Sequence, residues 1–435
     1  MTRHRITTIL LLVTFAGSAR LAGQERSVTL ADALKLAEQV QPPVIQAQTD
    51  VRNATAQRRS AWGAYLPTVS ASSSASDFFS EGASRVDPVT GQLTSGNSTN
   101  RSVSTSLAAN VDLFTGFRRG ADMRAAKAGV SAAEASLVDA RFQQALTTTN
   151  AFFDALAAQQ LVTVREASVR RAEEQLKVSV NKLSAGSATR SDTLRSRVTL
   201  GSAELDLLQA QTDLATTEAE LARLIGEPGR VHAADDSAFY RVVTILDTAT
   251  IRAEAEARSP RVQSAAATAA ASRASLSAAR SAYWPTLNLS ASTAWNASRL
   301  NDYTFLNQRQ LSLGLRWNLF NGFDRELTIT QRASQLEVSE ATEQDTRRQV
   351  SSQLVSQLAE IEAAGAKIDI TQVSVTAARE DLRVQQERYR LGASTIVDVL
   401  TSQEALNQAE VDVVNARFDY LRAKAQLEAL IGRTL

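Results

Sequence analysis

The chain has 435 residues, with 47 Lys and Arg against 46 Asp and Glu, no Cys, two His, seven Pro and 5% aromatic residues. Without cysteine there are no disulfides, Cys-ligated zinc sites, iron–sulfur clusters or thiol nucleophiles, and one histidine outside the leader, His232, cannot build a His-rich metal site. Near-neutral charge gives nucleic acid no electrostatic foothold, so the expectation is a mainly helical, non-enzymatic chain with no metal and no cofactor.

Residues 1–22 read as a secretory signal peptide: Arg3, His4 and Arg5, an apolar stretch from Ile6 to Ala16, then small Gly17, Ser18 and Ala19, with cleavage expected after Ala19 or near Ala22. No later segment approaches 18 consecutive apolar residues, so no spanning helix is expected after the leader.

The remainder is written twice. Tyr65-Leu66-Pro67-Thr68 recurs as Tyr283-Trp284-Pro285-Thr286 at an offset of 218. Leu113-Phe114-Thr115-Gly116-Phe117 recurs as Leu319-Phe320-Asn321-Gly322-Phe323 at 206, an offset also linking Gly186 to Gly392 and Asp192 to Asp398. The spacing predicts a first repeat over 23–226, a linker over 227–246 and a second repeat over 247–435. Each repeat contains a helix (about 29–63, 247–281), two alternating strands, a very long helix (about 118–184, 324–390), a Gly-containing turn and a last helix (about 190–226, 396–432). All seven prolines avoid 118–226 and 324–432, as unbroken helices require, since proline inside a helix costs about 3 kcal/mol.

Leu311, Leu313, Leu315, Trp317 and Leu319 alternate with polar residues or Gly, as do Val103 to Leu113 and Leu287 to Trp295; 66–76 is a weaker Ser/Ala version. This period marks strands with one apolar and one wet face, about as long as a tilted bilayer-spanning strand. A soluble hairpin packed on a helix shows the same pattern. Four strands cannot close a membrane barrel, so the membrane reading requires several chains to pool them. Trp284, Trp295 and Trp317 suit an interfacial belt. The polar stretch 79–101, which holds a 12-residue insertion, is expected to be an outward loop.

A 67-residue helix is about 100 Å long. In the last helices, Leu200, Ala203, Leu207, Ala210, Leu214, Thr217, Leu221 and Leu224 follow a 3-4 spacing, repeated from Leu406 to Leu430, as in a coiled-coil seam. Breaking it with Leu214→Asp is expected to impair assembly of the oligomer. Polar surfaces on both sides of the seam fit either a wall wetted on two faces or a soluble stalk.

Leu30-x-x-Ala33-Leu34-x-x-Ala37, Pro42, Tyr65-Leu66-Pro67-Thr68, the duplicated Leu-Phe-x-Gly-Phe and Tyr389-Arg390-Leu391-Gly392-Ala393-Ser394-Thr395-Ile396-Val397-Asp398 together resemble the TolC-type outer-membrane efflux family. The resemblance implies a duplicated unit forming an α-barrel plus, in a homotrimer, a twelve-stranded β-barrel in outer-membrane lipid. It also implies a periplasmic adaptor protein and an inner-membrane pump as partners, with drugs or other toxic small molecules exported passively.

By the same resemblance, the tip turns and adaptor-docking positions are Leu183, Ser184 and Gly186, and Leu391, Gly392 and Ser394. Asp398 matches a constriction aspartate, with Thr401 where some members carry a second acid, and Tyr389 and Asp192 match an inter-helix latch. Ser394 replaces the latch's basic residue. Thr189-x-x-Asp192 and Thr395-x-x-Asp398 equally fit helix-capping boxes. Asn110, Asp112, Arg316 and Asn318 are the expected barrel-lumen residues, and His232 reads as an ordinary surface residue. The outlet of a type I protein secretion system and a non-conducting periplasmic coiled-coil scaffold are the competing readings.

Overall fold

The chain runs β1 (Arg26–Val28), α1 (Leu30–Val40), α2 (Pro42–Gly63), β2 (Thr68–Ser80), the short pair β3 (Arg85–Val86) and β4 (Leu93–Thr94), β5 (Ser98–Phe114), α3 (Arg118–Ser184) and α4 (Arg190–Ile225). There follow β6 (Val231–Ala233), α5 (Thr248–Arg258), α6 (Pro260–Ala279), β7 (Thr286–Ala297), β8 (Leu306–Arg316), α7 (Asp324–Arg390) and α8 (Ile396–Ile431). This computed structural model describes residues 26–94, 98–240, 248–297 and 304–433, so the expected leader at 1–22 lies outside the described residues.

The duplication is visible in element lengths: α3 and α7 each have 67 residues, α4 and α8 each 36. Each short-helix region, expected as one helix, is two. Proline is favoured at a helix start, where its missing N–H costs nothing, so Pro42 and Pro260 begin new helices after Gln41 and Ser259. The loop expected over 79–101 is partly strand, because β2 reaches Ser80 and β5 begins at Ser98. Hydroxyl pairs Ser72–Ser106 and Ser76–Ser102, each 2.8 Å, tie these Ser-rich strands together.

The long helices set the architecture. α3 is flanked on one side by α2 and α4 and on the other by α6 and α8, with α7 beyond both. The result is a four-helix wall, ordered α2–α3–α6–α7 near the sheet and α4–α3–α8–α7 near the tip. The short and last helices meet end to end. The Gln41 side-chain amide donates to the Leu224 carbonyl at 2.5 Å, and Gly432 packs on Pro260. At Gly226, φ is +75° and an added Cβ would lie 2.7 Å from Val40 Cγ1. Gly226→Ala is therefore expected to destabilise the fold by at least about 1–2 kcal/mol, measured by thermal unfolding, with partial recovery in the Val40→Ala background.

The main core sits where these helix ends meet. Phe152, Phe153 and Leu156 of α3, Leu221 and Ile225 of α4, Leu354 of α7 and Phe418 and Leu427 of α8 are buried there, with Val28 and Val231 from the parallel pair β1–β6. Phe153 packs on Phe152, Phe239 and Phe418 with centroids 5.6–6.4 Å apart. Phe152, Phe153, Phe239 and Phe418 thus form one bulky aromatic centre. Toward the tip, α7 and α8 share an apolar seam through Val375, Leu382, Val399 and Leu406. The facing α3–α4 seam is small and polar, with Ala172, Gln175, Ser179, Ser196 and Ala203 buried.

Candidate functional site: sheet, wall edges and helical tip

The four strands form one antiparallel sheet in the order β2–β5–β7–β8. Register places Leu311 beside Ala291, Ala109 and Val69, and Leu313 beside Leu289 and Val111. One face is therefore apolar. The other carries Asn110, Asp112, Asn288, Ser290, Ser312 and Arg316, with Asn288 donating to Asp112 at 3.4 Å. Asn318 lies two residues beyond the end of β8; its carbonyl accepts from Arg325 at 3.3 Å.

Among the described residues, none of these four strands joins the hydrophobic cores, and Leu311 and Leu315 are 73% and 72% exposed. A hairpin packed on a helix would have covered them. Both edge strands, β2 and β8, end the sheet with unpaired outer sides. No described helix is long and apolar enough to cross a membrane.

The duplicated Leu-Phe-x-Gly-Phe motif forms the turn from strand to long helix. Gly116 and Phe117 both have positive φ, as do Gly322 and Phe323. For a phenylalanine this conformation is strained, and the motif supplies a compensating contact: Phe117 meets Phe114 edge-on at 5.3 Å, and Phe323 meets Phe320 at the same distance. Trp284 adds an edge contact to Phe117 at 5.5 Å, and the Trp317 indole donates to the Tyr283 carbonyl at 3.2 Å. Trp284 and Trp317 therefore lie at the helix end of the sheet, while Trp295 lies near the opposite end of β7.

The wall also has two open edges. On α4, Leu194, Val198, Leu205 and Leu208 are exposed on the side roughly opposite its seam with α3. On α7, Ile370, Val373 and Val384 are exposed roughly opposite its seam with α8, and Leu391 continues that row. Leu214 belongs to the internal α3–α4 row containing buried Ala203, Ala210 and Leu221, so its expected role in holding a trimer is corrected to one within the protomer.

At the tip both capping boxes are formed. The Thr189 N–H donates to Asp192 at 2.9 Å and the Asp192 N–H to the Thr189 hydroxyl at 3.2 Å. Asp398 accepts from the Thr395 N–H and hydroxyl, each 2.8 Å, and these bonds hold its carboxyl below the ordinary carboxylate range. Asp398 and Thr401 lie on the exposed face of α8. Gly186 (φ +71°) and Gly392 (φ +80°) close the two turns, with Leu183, Ser184 and Leu391 exposed and Ser394 half-buried beside them.

Tyr389 is buried, which pushes its phenol above the ordinary range; the nearby Ser179 hydroxyl opposes the shift and the Asp192 charge adds to it. Asp192 uses its carboxylate for the cap, and no Tyr389–Asp192 hydrogen bond forms among the described residues. Lys182 makes the crossing contact: its ammonium lies 4.3 Å from the Tyr389 ring centroid and donates to the Tyr389 carbonyl.

Higher up, Arg171 donates to Asn407 and Glu410, each 2.7 Å, joining α3 to α8, and Ser402 donates to Asp381 at 2.5 Å. Contacts between residues more than 200 positions apart leave no local signal. His232 is not a lone surface residue: its Nδ1 lies 3.0 Å from Glu218, a buried carboxylate that also holds Arg230 at 2.5 Å.

The model of the outer membrane efflux protein family matches residues 33–227 and 251–433. The chain is 25% identical over 312 residues to the alkaline protease secretion protein AprF of Pseudomonas aeruginosa, covering 69% of this chain and 64% of that protein, so it spans just under two thirds of that relative. It is 27% identical over 351 residues to the pyoverdine export outer membrane protein OpmQ of the same organism, covering 78% of this chain and 72% of the relative. The crystal structure of the outer membrane protein VceC from Vibrio cholerae shares the fold, with a TM-score of 0.76 at 19% identity over 93% of this chain and 96% of that one. The family match spans both repeats, their strands and their tips, and the chain belongs to the outer membrane efflux protein family.

Proposed function

We propose that three copies of this chain close into an outer-membrane exit duct of a tripartite efflux system, which passively exports toxic small molecules and performs no catalysis of its own. The carrying observation is the four-stranded sheet with an uncovered apolar face and two free edges. Lipid covers such a face, and only a closed barrel leaves no unpaired backbone in hydrocarbon. The open wall edges support the same reading: β2, α2 and α4 on one side would meet β8 and α7 of the next copy, a head-to-tail contact that closes a ring. Three copies give twelve strands.

In that ring the polar sheet face is the lumen, with Asn110, Asp112 and Arg316 lining the barrel and Asn318 at its base. Asp398 and Thr401 from each copy form the tip constriction, supported by Tyr389 on the same turn and Asp192 on the neighbouring one. The turns around Leu183, Ser184 and Gly186, and Leu391, Gly392 and Ser394, form the docking surface for a periplasmic adaptor, which connects the duct to an inner-membrane pump. A type I secretion outlet is the second reading, favoured by the similarity to a protease secretion protein; a neighbouring gene for an ATP-driven exporter would select it. The uncovered apolar sheet argues against a soluble scaffold.

In planar bilayers, Asp398→Ala is expected to reduce the preference for cations over anions. The preference should be full above pH 3.8, the ordinary aspartate value, and fade as pH falls through the lower folded-state value. The cap follows the same sign: its contribution is present above pH 3.8 and is lost on acidification through the depressed pKa. Selectivity unchanged in the variant would leave Asp398 with capping alone.

A further inference from the structure

Where the sheet joins the helices, a cleft of about 660 Å³ opens between α3, α6 and α7. Its upper rim is the register pair Thr286 and Arg316, which places it on the polar face of the sheet. Its floor is small and apolar, formed by Ala125, Ala278, Ala279 and Ala282, with the exposed Trp284 at one side.

The charges are unevenly satisfied. Arg118 is paired with Asp122 at 3.3 Å. Arg316 and Arg332 make no ion pair among the described residues, and Asp324 is the one other acid lining the cleft. After the internal pair is set aside, two free guanidinium groups face one carboxylate across an apolar floor. Guanidinium binds planar oxyanions through paired N–H donors, and an exposed indole supplies an aromatic surface.

We propose that this cleft is a lumenal way-station for amphipathic anions, aromatic compounds bearing a carboxylate or sulfonate, that pause between the helical tunnel and the barrel. The proposal rests on the reading above that the polar sheet face lines a duct. Arg316 and Arg332 hold the anionic group, Trp284 and the alanine floor take the aromatic body, and Asp324 disfavours a second negative charge.

The test is single-channel recording of the assembled wild-type protein with naphthalene-1-sulfonate, and with the cationic 1-naphthylmethylammonium as control. The sulfonate should block the open current in a concentration-dependent way and the ammonium much less. Measured against each variant's own open current, R316Q/R332Q should weaken the block about tenfold, and R316K/R332K should retain most of it. Equal block in wild type and R316Q/R332Q, or stronger block by the ammonium, would overturn the proposal. So would unchanged block accompanied by loss of anionic lipid from the purified R316Q/R332Q protein, which would place the arginines against headgroups. A wild-type protein that never conducts would overturn the duct itself, a separate outcome.

Discussion

Leu313→Arg is expected to remove the protein from the outer-membrane fraction, whereas Ser312→Arg, one residue away, should leave it in place. The two side chains point to opposite faces of β8: Leu313 lies in the row with Leu289 and Val111, and Ser312 pairs with Ser290 on the polar face at 2.5 Å. An arginine facing lipid near the bilayer centre costs about 2–4 kcal/mol, and a homo-oligomer incurs it in every copy. A lumen-facing arginine stays in water. Density-gradient fractionation and heat-modifiable mobility read both variants. Equal tolerance of the two substitutions would mean the sheet does not separate lipid from water.

The second large effect concerns the wall edges. Leu205→Asp on α4 and Ile370→Asp on α7 should each reduce the assembled oligomer strongly while leaving the helical content of the chain unchanged. Both side chains are well exposed within the protomer, at 68% and 66%, so neither contributes to its own core. Burial against a neighbour would stabilise each by about 1.5–3 kcal/mol per copy, and the substituted carboxylate adds a desolvation cost. Leu214→Asp differs in kind. It strikes the seam between α3 and α4 and should lower helix stability before any question of assembly arises. Size-exclusion chromatography in detergent, paired with circular dichroism, separates the two classes.

Much of this architecture can be read in the residues. The ends of α3, α4, α7 and α8 follow from proline-free runs closed by Gly186, Gly226, Gly392 and Gly432 and opened by Thr189 and Thr395, whose capping boxes both form. Alternation in β5, β7 and β8 gives the strands and their faces, because a period of two has one structural meaning once lengths are short, although β8 ends at Arg316 and leaves the expected Trp317 to Leu319 outside it. The breaks at Gln41 and Ser259 are less legible, since a proline within a helical pattern can begin a helix as well as end one. The Leu-Phe-x-Gly-Phe motif shows itself by repetition, but its role as a strained turn is visible only once both phenylalanines are seen at positive φ.

The candidate site is legible to a smaller degree. Asp398 and Thr401 are marked by the family resemblance, whereas alternation assigns Asn110, Asp112 and Arg316 to the polar face of the sheet, because a period of two decides the face on which a side chain lies. Contacts between helices cannot be placed this way. Lys182 with Tyr389 and Arg171 with Glu410 depend on how two distant coils meet, and glutamate and arginine on an amphipathic helix look alike whether paired or solvated. The Glu218–His232 pair fails for a related reason: β6 folds back over the end of α4, and nothing local in 227–233 announces that return.

The most direct test of the account is the mass and conductance of the protein extracted from outer membranes in mild detergent. Native mass spectrometry should give three copies of the mature chain, and the same particles should conduct when fused to a planar bilayer. A monomer that stays soluble without detergent and carries no current would contradict it.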